Sequence, residues 1–74
     1  MRRNRPDPAY VGTLSFHLPD GESVGKETCR GKRDAKEHAA HLAVHYGEQI
    51  QIRTDNDRFL DVVDETYLDT LADA

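Results

Sequence analysis

The sequence predicts an α+β domain: an antiparallel sheet in ββαββ order, one main helix packed on one face, and a short C-terminal helix. Two observations lead to this fold class. Apolar and polar residues alternate in two pairs of segments, which is the pattern of half-buried strands. Between the pairs, residues 32–46 carry alanine and leucine at helical spacing, as an amphipathic helix does.

The basic N-terminal segment is predicted to lie outside the folded domain. Residues 1–8 (MRRNRPDP) hold two prolines and three arginines, which indicates a flexible basic arm. Residues 9–74 are expected to form a single small domain, because 74 residues are too few for two cores. No apolar run approaches the ~20 residues that span a bilayer, so we expect a cytoplasmic protein without a membrane partner.

The first hairpin is predicted over residues 9–30. The segment AYVGTLSFHL alternates, and its larger side chains share one face: Tyr10, Leu14, Phe16 and Leu18. PDGE at 19–22 has the proline and glycine of a tight turn. The returning strand, SVGKETCR at 23–30, is polar, and its Gly25 indicates a bulge or an edge strand.

The main helix is predicted over residues 32–46. Gly31 precedes it and Gly47 ends it, as a glycine after the last helical turn commonly does. One stripe is expected to face the sheet: Ala35, Ala39, Leu42, Ala43 and Tyr46. Because most of these side chains are small, the helix can lie close to the sheet.

A second hairpin and a short helix complete the chain. EQIQIRT at 48–54 and RFLDVV at 58–63 are predicted strands joined by a turn at 55–57. Strict alternation in the last strand places Leu60 and Val62 on one face, and Phe59 and Val63 on the other. Asp64 is expected to cap a helix over 65–72.

Charge is distributed unevenly along the chain. Residues 1–50 carry eight Lys and Arg against seven Asp and Glu, whereas residues 51–74 carry two against seven. We expect this acidic part to contact a basic partner surface. The candidates are Asp55, Asp57, Asp61, Asp64, Glu65 and Asp69, followed by Asp73. The alternative is that they serve solubility, a turn and a helix cap.

Three histidines lie on the predicted helix, and their spacing raises the question of a metal site. His41 and His45 are four residues apart, which suits zinc, and His38 precedes them. Glu37 and Asp34 are candidates for a further ligand, but nothing else converges on the pair. The expected role is therefore a solvated polar face, with no metal or other cofactor. Cys29 is expected to be a small strand residue without a disulfide partner.

Residues 31–44 (GKRDAKEHAAHLAV) resemble the last helix of double-stranded-RNA-binding domains. The matching pattern comprises Lys32, Arg33, Ala35, Lys36, Ala39 and Ala40. In that family the basic residues at the helix start contact phosphates across the RNA groove. The resemblance therefore implies phosphate contacts at Lys32, Arg33 and Lys36, in a nucleic-acid-binding module.

The layout of strands around an alanine-rich helix, at this chain length, also resembles small phage-encoded anti-CRISPR inhibitors. That resemblance implies a protein that binds a host nucleoprotein complex, such as a CRISPR effector, and blocks it without chemistry of its own. Carboxylates of the acidic part would then pair with the basic channels that hold guide and target, as a partial nucleic-acid mimic.

The sequence predicts a binding protein and no enzyme. It lacks a glycine-rich phosphate loop, a paired-carboxylate cleft and a nucleophile with a placed base. Three hypotheses stay open. The first is the phage or mobile-element inhibitor, the second is the nucleic-acid-binding module, and the third is a homodimeric scaffold that pairs an exposed strand edge or sheet face. Monomer and homodimer are both compatible with the sequence.

Overall fold

The computed structural model describes residues 8–72 of the chain. A short 3-10 helix (Pro8–Tyr10) precedes the first strand. The other elements, in chain order, are β1 (Val11–His17), β2 (Ser23–Arg30), α1 (Lys32–Tyr46), β3 (Ile50–Thr54), β4 (Phe59–Val63) and α2 (Thr66–Ala72). The predicted α+β class and ββαββ order are confirmed, while residues 1–7 of the predicted arm lie outside the described residues.

The four strands form one antiparallel sheet in the order β2-β1-β3-β4. Since β2 and β3 are each antiparallel to β1, they run parallel to one another with β1 between them. The helix α1 is the connection that carries the chain from β2 across the sheet to β3. Gly25 lies on the edge strand β2, beside a register irregularity next to Phe16, as its position in a polar strand predicted.

The core lies between the sheet and α1. Paired residues of an antiparallel ladder share a face, so Phe16 and Ile52 point to the same side, as do Ile50 and Val63. The largest fully buried side chains are Phe16, Leu14, Ile50, Ile52 and Cys29. Opposite them, α1 contributes Ala35, Ala39, Ala40 and Ala43, each 0–1% exposed. Small helical side chains thus meet large strand side chains.

The buried arc of α1 differs from the predicted stripe at two positions. Ala40, which the stripe omitted, is fully buried, so the arc is rotated toward it. Tyr46, which the stripe included, is 43% exposed and makes an edge-to-face contact with His45 at 4.8 Å. Tyr46 lies in the last turn before Gly47, which ends the helix in the left-handed conformation (φ 69°), with its N–H donating to the Ala43 carbonyl.

The prediction of strict alternation along β4 is wrong, because the strand contains a bulge. Asp61 pairs with Ile52, but Phe59 pairs with Arg53, which leaves Leu60 as an extra residue. Phe59 and Val62 therefore both lie on the face opposite α1, while Leu60 packs against the core. Asp61, which pairs with Ile52 before the bulge, lies on the α1 side of the sheet.

The short helix α2 packs on α1, on the same side of the sheet. Tyr67 and Leu68 are half-buried against the core. Asp64 caps the helix as predicted, because its carboxylate accepts hydrogen bonds from the Thr66 N–H (3.0 Å) and the Thr66 hydroxyl. Within the described chain, neither helix covers the second face of the sheet.

Candidate functional site

The three predicted phosphate contacts lie together in one groove between the start of α1 and α2. This α1–α2 groove has a volume of about 420 Å³. Its lining combines cations with apolar surface: Lys32, Arg33, Lys36, Tyr67, Thr70 and Leu71. The three basic residues of α1 therefore form one wall of the groove, and α2 forms the opposite wall.

One of the three cations of the α1–α2 groove is already paired with a carboxylate of the same chain. The Lys36 ammonium lies 3.6 Å from the Asp61 carboxylate and 5.0 Å from the centre of the Tyr67 ring. Lys32 lies 6.0 Å from the centre of the Tyr10 ring and, like Arg33, is exposed. Because Lys36 is partly neutralised, Lys32 and Arg33 carry most of the positive charge that the groove offers to a ligand.

The acidic candidates fall into two groups, at opposite ends of β4. Asp55 and Asp57 occupy the tip of the β3–β4 hairpin, with side chains 68% and 70% exposed. Asp55 lies 3.9 Å from Lys26, and Asp57 accepts a hydrogen bond from Arg53 at 3.0 Å. Exposed ion pairs of this kind contribute at most about 1 kcal/mol, so these carboxylates can exchange partners.

The second acidic group surrounds the start of α2. Asp61 pairs with Lys36 and Asp64 caps α2, so both have roles within the fold. Hydrogen bonds from the Thr66 hydroxyl and N–H hold the pKa of Asp64 below its ordinary value. Glu65 and Asp69 are exposed. The five residues of β4 span about 16 Å, so this group and the hairpin tip do not form one compact cluster.

The histidines on α1 have different surroundings. His41 and His45, the predicted zinc pair, are both exposed. His38 is half-buried: its ring centroid lies 6.3 Å from that of Phe16, and its Nε2 lies 3.6 Å from an Asp34 carboxylate oxygen. The helix face that we predicted to be solvated therefore includes one histidine that contacts the core.

His38 also belongs to a cluster that the sequence did not indicate. The Cys29 thiol, an Asp34 carboxylate oxygen and a His38 ring nitrogen all lie within 4.8 Å of one another. Within residues 8–72, His41 and His45 belong to no such group of three. Burial first, and then the charges of Asp34 and Glu27, raise the pKa of the Cys29 thiol to about 11, so it is protonated at neutral pH.

A serine–histidine pair lies on the sheet face opposite α1. His17 Nε2 is 2.9 Å from the Ser15 hydroxyl, and His17 Nδ1 is 3.1 Å from the Gly21 carbonyl. Such a chain of contacts is typical of an activated nucleophile, but Ser15 is only 7% exposed and also contacts the Arg53 carbonyl. The buried hydroxyl is closed to a substrate. The contacts of His17 with Ser15 and Gly21 instead connect β1 to the turn that follows it.

Positive charge and apolar surface occupy the same open face of the sheet. Phe59 is 57% exposed and Val62 38% exposed, beside the cations Lys26 and Arg53. Val62 alternates with the buried Val63, and the bulge in β4 places Phe59 on the same face, which completes this apolar patch. Alternation in the sequence predicted a different arrangement, because it takes no account of a register shift.

The fold and these surfaces define a small ββαββ domain with separate acidic and basic regions. No family model matches the chain, and no curated protein and no solved structure matches it either. Neither described helix has the length and hydropathy that crossing a bilayer requires.

Proposed function

We propose that this protein acts by binding, and that its acidic hairpin tip and α2 engage a basic surface of a host nucleoprotein complex. A phage-encoded inhibitor of a CRISPR effector has this mode of action. The observation that carries the proposal is the exposure of four carboxylates outside the core: Asp55, Asp57, Glu65 and Asp69. These side chains can reach cations of a partner without disturbing the fold.

The ion pairs at the hairpin tip support this role for Asp55 and Asp57. Both carboxylates are more than two-thirds exposed, and their partners Lys26 and Arg53 lie on the sheet face next to the tip. Removing an exposed pair costs little stability, whereas a desolvated charge pair across an interface contributes several times more. Asp61 and Asp64 contribute less to the proposed surface. Asp61 is paired with Lys36, and Asp64 accepts a hydrogen bond from Thr66.

We expect charge reversal at the hairpin tip to weaken capture of a CRISPR effector. The probe is a panel of guide-loaded CRISPR effector complexes on a biosensor surface. For an effector that binds the wild-type chain, the variant Asp55→Lys/Asp57→Lys should raise the Kd at least about tenfold, because each close interfacial charge pair contributes more than 1 kcal/mol.

The control has the same change in net charge elsewhere. Glu22 lies in the β1–β2 turn and Glu48 follows α1, and both are exposed. Glu22→Lys/Glu48→Lys should leave capture within about twofold of the wild type. Binding to no effector, or an equal loss in both variants, contradicts the proposal.

Phosphate binding in the α1–α2 groove is a second candidate, favoured by the convergence of Lys32, Arg33 and Lys36 on one surface. The uncapped amino end of α1 adds positive potential there, since Gly31 provides no side-chain cap. Three cations are few for a duplex, however, and the chain carries a net charge of -4. We therefore rank this function below the acidic surface.

The second candidate predicts weak, salt-dependent binding to duplex RNA. The log of the affinity should fall with the log of the salt concentration, with a slope of roughly -2 to -3 for three phosphate contacts. Lys32→Glu/Arg33→Glu should reduce that slope by about 2. Fluorescence anisotropy measures both, with Lys26→Glu/Arg58→Glu as the matched control. Equal effects of the two variants, or no binding at low salt, exclude the groove as a phosphate site.

A further inference from the structure

We propose that Cys29, Asp34 and His38 form a binding site for Zn²⁺ at the junction of β2 and α1. The site would be separate from both charged surfaces described above. It combines a sulfur, an oxygen and a nitrogen ligand, a set that suits zinc and related divalent transition metals.

The distances within the cluster are close to those of a tetrahedral zinc site. Ligands at the usual 2.0–2.3 Å from zinc lie roughly 3.3–3.6 Å from one another. His38 Nε2 and Asp34 Oδ1 are already 3.6 Å apart. The Cys29 sulfur lies within 4.8 Å of both, so small side-chain rotations bring all three atoms to bonding distance.

The local fold holds these ligands in place. Asp34 and His38 are one turn apart on α1 and so project from the same helix face. Cys29 precedes α1 by three residues and is buried on the sheet face that α1 covers. The other carboxylate oxygen of Asp34 accepts the Arg30 N–H at 2.9 Å, which is the kind of outer contact that orients a metal ligand.

A pocket beside the cluster supplies access and a fourth coordination position. It has a volume of about 300 Å³, and its lining is Asp34, Glu37, His38 and His41. Cys29 closes the site from the core side, where it is 1% exposed. Three protein ligands with the fourth position open to water are a usual arrangement for zinc. The ion would connect β2 to α1 and so stabilise their junction.

Titration of the full-length chain with Co²⁺ tests this site. We expect one equivalent to bind with a thiolate-to-cobalt charge-transfer band, and Zn²⁺ to displace it. Cys29→Ala should abolish the band, and His38→Ala should weaken binding at least tenfold. Zn²⁺ should raise the melting temperature of the wild type but not of Cys29→Ala.

The variant His45→Ala is the control, because it removes an exposed imidazole of the same helix that does not line the pocket. It should keep the charge-transfer band and the affinity of the wild type. If Cys29→Ala fails to fold, the comparison of His38→Ala with this control decides the question. Absence of the band in the wild type, an unchanged affinity in His38→Ala, or loss of binding in the control overturns the proposal.

Discussion

Replacing Phe16 with alanine is expected to lower the free energy of unfolding by about 3–5 kcal/mol. Phe16 is 0% exposed and is the largest fully buried side chain of the core. It lies on β1, beside Ile52 of β3, on the sheet face that α1 covers. A domain of this size has a total stability of roughly 4–11 kcal/mol, so the variant should lose a large fraction of it.

The chain offers a matched control at Phe59, which is 57% exposed on the open face of the sheet. Phe59→Ala removes the same atoms and should change stability by no more than about 0.5 kcal/mol. Urea denaturation followed by far-ultraviolet circular dichroism measures both variants. Similar losses at the two positions would mean that the core is not where the structure places it.

Raising the pH from 9 to 11 is expected to cost about 2 kcal/mol of stability through Cys29 alone. Burial first, and then the negative charges of Asp34 and Glu27, raise the pKa of this thiol from 9.0 to about 11. Between these values the unfolded chain has lost the thiol proton while the folded chain retains it. The unfolded state binds fewer protons, so stability falls by about 1 kcal/mol per pH unit across the window.

The comparison with Cys29→Ala isolates this contribution. Tyrosine and lysine side chains also titrate above pH 9, but they are present in both proteins. With a chelator added, the free energies of unfolding of the two proteins should fall with different slopes between pH 9 and 11 and run parallel below about pH 8. Parallel curves throughout the range would show that the thiol is not held protonated by the fold.

Local features of the sequence were sufficient to predict the elements. The bounds of α1 match the prediction because Gly47 ends the helix and the alanines repeat with helical spacing. β2 also matches, and Asp64 caps α2 as expected. Each of these features depends on residues within a few positions of one another, so the sequence contains the information directly.

The charged surfaces were predictable only in part. The basic residues of α1 share one helical turn, so their convergence in the α1–α2 groove follows from spacing, although the Tyr67 wall does not. The acidic residues are close in sequence, yet β4 separates them into two groups because a strand is extended. The ion pair between Lys36 and Asp61 also could not be predicted, because it depends on which face of the sheet Asp61 occupies.

By itself, the sequence determined the fold class, the bounds of α1 and β2, and the cap of α2. The tertiary structure decided the strand order, the bulge that turns Phe59 to the open face, and the approach of Cys29 to His38. The physical reason is the range of the interactions. Helix periodicity and capping act over one or two turns, whereas strand pairing and the packing of α1 on the sheet join residues that are distant in the chain.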